Sequence, residues 1–159
     1  MRYAFCGPTL RSPVALTALL ASLACDSTPK AAVSPTTADL RTPVALPADG
    51  QQAVLGEMRQ MLAAIGGALS AAARADTGAV LAALAPAGSV AAADPAVEAL
   101  LPATWKELAE RTHGGFDSLT VAVRRARTGL ALKDTVLVGI GRLSSSCTAC
   151  HETFRITVR

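Results

Sequence analysis

Cys147, Cys150 and His151 stand within one pentapeptide, CTACH, eight residues from the end of the 159-residue chain. Two thiols three residues apart can each add across a vinyl group of haem, and an imidazole directly after the second can ligate the iron. The C-x-x-C-H order therefore predicts covalent attachment of one haem c, through Cys147 and Cys150. Zinc sites and thioredoxin-like redox centres also use C-x-x-C. Zinc needs two further ligands, and Cys25 and His113 are distant and unsuitably spaced; a thioredoxin-like centre needs a βαβ context that the hydropathy pattern lacks. On a helix the positions i, i+3 and i+4 share one face, so the motif asks for a helix beneath it.

That helix is legible upstream. Val136, Ile140 and Leu143 lead at three- and four-residue steps into Cys147, Cys150 and Phe154, which puts the haem residues on the core face of a last helix. Trp105, Leu108, Thr112, Phe116, Leu119 and Val123 mark a preceding helix that starts around Pro102 and ends by Gly129. Val54, Met58, Met61, Ile65, Leu69 and Ala72 define the inner face of a first helix of about 25 residues. A second helical stretch begins near Thr77 and loses definition through Pro86, Gly88 and Asp94-Pro95. Four helices with short connections and no convincing strand pattern predict an all-α fold, an antiparallel four-helix bundle with covalently bound haem near the C-terminus. Its core is Ala-rich, with Trp105, Phe116 and Phe154 as its aromatic residues. A porphyrin would fill the space such a core leaves. Gly66-Gly67 and Gly114-Gly115 each cost a helix roughly 1 kcal/mol per residue, and read either as backbone approach to the cofactor or as tight helix contact.

Ahead of the bundle, Arg2 and Arg11 with the apolar run 14–24, too short to span a membrane, read as a signal peptide over 1–24. Cys25 at the head of the mature chain resembles the lipidated cysteine of bacterial lipoproteins, although Ser22 holds the place where Leu is usual. Lipidation of Cys25, ordinary cleavage after Ala24 and an uncleaved anchor all give an exported chain. The first is preferred, and it makes the protein periplasmic and tethered to a membrane. Pro29, Pro35, Pro43 and Pro47 among Ser, Thr and Ala make 25–48 a flexible tether, with the folded unit, 49–159, beginning at Asp49. Cys6 leaves with the signal, so no thiol pair remains for a disulfide.

The net charge of +3 includes Arg2 and Arg11, so the exported chain is close to neutral and nucleic acid is excluded as a partner. Arg124, Arg125 and Arg127 form the one basic cluster and suit the polar end of a helix. His113, beside the apolar stripe, is expected to be partly exposed, with bis-His ligation as its alternative; Arg59 reads as a solvated residue. Neither a carboxylate dyad nor a nucleophile with its base is apparent, so the chain is not expected to be an enzyme.

Three segments together resemble the class II cytochromes c, the family of cytochrome c-prime and the cytochrome c-556 type: CTACHETFR at the C-terminus, LPATWKELAERTHGGFDSL before it, and GEMRQMLAAIGGAL in the first helix. The likeness spans about residues 50–157. It implies His151 as proximal ligand, with Arg155 one turn on, beside the imidazole or paired with a propionate. In the common small cytochromes c a methionine ligand follows the haem motif, whereas here Met58 and Met61 both precede it. A methionine ligand must then come from the first helix, as in the c-556 type, and Met58 is favoured over Met61. His/Met iron would shuttle single electrons between redox partner proteins of the periplasm or membrane. The alternative is five-coordinate iron of the cytochrome c-prime kind, binding NO or CO as a scavenger or sensor. Members of the family often dimerise through the first two helices, so a homodimer is a further expectation.

Overall fold

The Thr128 hydroxyl accepts from Ala131 N at 3.1 Å and so caps the helix that ends in CTACH, α5 (Gly129–Thr153). The computed structural model describes residues 38–91 and 95–159, and Ala38–Arg159 form one compact unit. The expectations for the signal peptide, for Cys25 and for the tether up to residue 37 lie outside the described residues. Within the unit α5 packs along α4 (Ala103–Arg125) and α1 (Ala48–Ala73), and α2 (Thr77–Leu84) packs on α1 and α4. Two 3-10 turns, Ala85–Ala87 and Ser89–Ala91, and the short α3 (Pro95–Glu98) lie between α2 and α4. The fold is thus mostly helical.

The expected stripe of α4 is buried at every position from Trp105 to Val123, and Val136, Ile140 and Leu143 of α5 are buried as well. In α1 the expectation shifts. Val54 and Ala72 are buried as expected, but Ala64, Ala68 and Ala71 are buried with them, while Met58, Met61 and Ile65 are half-buried and Leu69 is exposed. The reason is steric: small side chains permit the closest helix approach, as at Gly67, where an added Cβ would come within 3.0 Å of the Ala83 Cβ. Gly115 does the same on α4, its missing Cβ leaving room for Leu143. One glycine of each pair therefore serves helix contact, and Gly66 and Gly114 face open space.

Two strands correct the all-helical expectation. β1 (Thr42–Leu46) pairs in parallel with β2 (Phe154–Val158), in the register Val44 to Ile156 and Leu46 to Val158, and Arg159 N donates to the Leu46 carbonyl at 3.0 Å. The folded unit hence starts at Ala38 rather than Asp49, and residues 38–48 are not a flexible tether. Pro43 is compatible with a strand here because both strands of a two-stranded sheet are edges, where a missing N–H is tolerated. Alternation places Val44 and Leu46 inward, onto Val54, Trp105, Leu108 and Phe154. Phe154, expected on the last helix, instead opens β2, where β-branched Ile156, Thr157 and Val158 favour extension.

Candidate functional site

Cys147, Cys150 and His151 occupy the last two turns of α5, and the end of that helix is tied down from three sides. Phe154 packs on Trp105 of α4, ring centroids 5.3 Å apart with planes tilted by 50°. The strand that follows is held by β1. Arg41, one residue before β1, donates from Nη1 to the His151 carbonyl at 3.3 Å.

Facing this end is a cavity of about 510 Å³, between α1, α4 and α5. Val54, Met58, Met61, Leu62 and Ile65 line it from α1, Trp105, Leu108 and His113 from α4, and Cys147, Cys150 and His151 from α5. Its walls are largely apolar, and its rim carries Leu62 with 68% of its surface exposed. An open apolar hollow of this kind is the mark of a ligand or cofactor site. The methionines differ in surroundings. Met58 packs with the cluster that holds Trp105, Phe154, Ala149 and Cys150, whereas Met61 packs against the larger core with Ile65. Of the two, Met58 is the one grouped with the CTACH residues.

Burial pushes both cysteine thiols up, with a further contribution from Cys147 at Cys150, and keeps them as S–H at neutral pH. Both are free of disulfide. Among the described residues no three His, Cys, Asp or Glu side chains converge as a metal-binding group. A cavity of this volume with two protonated thiols and an imidazole on one helix face fits a planar apolar macrocycle held by thioether links.

Two expected roles are revised. Arg155 does not line the cavity: α5 ends before it, and from β2 its Nε lies 3.9 Å from Asp39 Oδ2. Asp39 also takes two hydrogen bonds from the Arg41 guanidinium, at 2.9 and 2.7 Å, which hold its carboxyl down at about 2. His113 is buried at 6% exposure, not partly exposed, and both its ring nitrogens are engaged. Bis-His ligation would have to break one of these contacts. Arg59 is exposed at the cavity wall, as expected of a solvated residue. The Arg41–Asp39–Arg155 group and the Glu57–His113 pair went unread in the sequence, because each joins residues far apart in it. Comparison with protein-family models, curated proteins and solved structures gave no match.

Proposed function

We propose that the chain is an exported c-type cytochrome of the class II kind, a four-helix bundle of α1, α2, α4 and α5 carrying one covalent haem c for single-electron transfer. The observation that carries this reading is the single apolar cavity that gathers Cys147, Cys150 and His151 from one helix with Met58 and Met61 from another. When bound, the haem supplies a one-electron iron couple. Cys147 and Cys150 hold it. Each thiol would add across a vinyl group, the sulfur bonding to one carbon and the proton passing to the other, so that nothing leaves and no oxidant is consumed. His151 would supply an imidazole nitrogen to the iron, and Met58, which packs against the same cluster as Cys150, would supply a thioether. The apolar walls exclude water and so limit reorganisation. Lipidation of Cys25 would keep the protein at the periplasmic face of a membrane, within reach of redox partner proteins.

The mature protein from an exporting host decides the matter in two measurements. Its mass should exceed that of the polypeptide by one haem, and its reduced and oxidised spectra should be low-spin. Met58→Ala should convert the spectrum to high-spin while Met61→Ala leaves it low-spin. A mass without haem ends the reading, and a high-spin wild type that binds CO or NO rapidly replaces electron transfer by gas binding.

A further inference from the structure

His113 lines the cavity shared by Met58 and His151, yet it has no nitrogen to spare. Nδ1 lies 2.9 Å from the Ala87 carbonyl, and Nε2 lies 2.9 Å from Glu57 Oε1. A carbonyl only accepts, so Nδ1 carries a hydrogen. Glu57 Oε1 is buried and stands opposite the imidazole as its ion-pair partner.

The turn behind His113 is itself latched to α4. Asp117, four residues on and therefore on the same helix face, accepts from Ser89 N at 3.1 Å and pairs with the Ser89 hydroxyl. Gly88 is buried against that carboxylate, which leaves no space for a Cβ. From this fixed base His113 reaches across to α1. Glu57 precedes Met58 by one residue, so holding the Glu57 side chain sets the rotation of α1 about its axis at the place where Met58 departs. A methionine side chain turns about three bonds and finds one bound rotamer only if its backbone is fixed.

Resting on the reading of Met58 as sixth ligand, we propose that His113 is a positioning residue: braced on the Ala87 carbonyl, it grips Glu57 and holds the turn of α1 that carries the Met58 thioether into the cavity. The adjacent carboxylate outweighs burial and raises the affinity of the imidazole for its second proton, which strengthens the grip with charge.

The test uses the haem-loaded, exported protein. His113→Asn keeps a donor near the Ala87 carbonyl but falls short of Glu57; His113→Gln reaches Glu57. Glu57→Ala breaks the grip from the other side. The wild type and the Gln variant should be low-spin. His113→Asn and Glu57→Ala should each raise the high-spin fraction, and the rate of CO binding to the reduced protein, by about tenfold or more, the low end of what one hydrogen bond to a charged group supplies. The double variant should be no worse than either single one, because both remove the same contact. Should both single variants merely melt earlier, with wild-type spectra and CO binding, the brace is refuted. If His113→Asn fails to fold, Glu57→Ala reads the same contact. A high-spin wild type with haem attached defeats the Met58 reading itself and the brace with it, whereas a low-spin wild type with indifferent variants defeats the brace alone.

Discussion

Leu46 tests where the folded unit begins. Within a flexible tether its side chain would be solvated in the folded and unfolded chain alike, and Leu46→Ala would leave stability unchanged. In the structure it is 0% exposed, enclosed with Val44, Val54, Trp105, Leu108 and Phe154. Truncating an enclosed Leu to Ala costs about 2–5 kcal/mol, the transfer term of the lost carbons plus a cavity term. The strand that carries it is the edge of a two-stranded sheet and can partly settle into the gap, so about 3 kcal/mol is expected. For a unit of this size that lowers Tm by roughly 10 °C. Domains hold about 5–15 kcal/mol in total, so the variant should still fold. Urea unfolding of the wild type, Leu46→Ala and a Leu40→Ala control measures it; Leu40, ahead of the strand, is 91% exposed. The midpoint should fall for Leu46→Ala at unchanged slope and stay put for Leu40→Ala. A loss below about 0.5 kcal/mol, the size of an ordinary surface change, would refute the strand as part of the fold.

Two further outcomes follow from local geometry. Ala75 holds a left-handed backbone at φ 57°, so Ala75→Gly should stabilise by about 0.5–1 kcal/mol; Gly129→Ala, whose Cβ would lie 2.9 Å from that of Ala75, should cost about 1–2 kcal/mol alone and little in the Ala75→Gly background, and additive effects in thermal unfolding would contradict this contact. The His113 pKa is raised above its ordinary 6.5 chiefly by Glu57, so its contribution to stability is complete below pH 6.5 and is lost as pH rises through the folded value. Unfolding midpoints should therefore decline from neutral to alkaline pH in the wild type more steeply than in His113→Asn, and parallel profiles would count against it.

Periodicity carried most of the helical reading, because α4 and α5 each bury one stripe against a neighbour and the stripe is written at three- and four-residue steps. It failed where bulk stopped being the measure of burial. Beyond Val54 the buried positions of α1 are alanines, and the larger Met58, Met61 and Ile65 are displaced to the cavity wall. A rule that assigns the biggest apolar residues to the core misplaces such a helix by part of a turn, and the misplacement itself marks the hollow. The strands escaped notice for a different reason. Thr42–Leu46 contains a proline and follows a Pro-rich stretch, and what makes it a strand is β2, more than a hundred residues away. Local propensity carries no trace of such a partner. The CTACH triad was legible in full, since its spacing is short; the pairs that orient it were not, since Arg41 meets His151 and Glu57 meets His113 only after folding.

The position of the triad explains why so much of the structure converges on it. His151 lies two residues from the end of α5, in the turn where helix hydrogen bonds are fewest and fraying is easiest. On the proposed reading, an iron ligand on a loose turn would sample several orientations, at a reorganisation cost in each electron transfer. The chain answers by leaving the helix as a strand: β2 is pinned by β1, Phe154 is packed on Trp105, and the His151 carbonyl, left without a helical partner by the helix end, is met by Arg41. On the proposed reading the opposite ligand has a matching support in the Glu57–His113–Ala87 brace. Both sides of the cavity are thus held by residues that a bundle alone would not need, which is the arrangement expected of a site whose two axial groups must stay still while the charge between them changes.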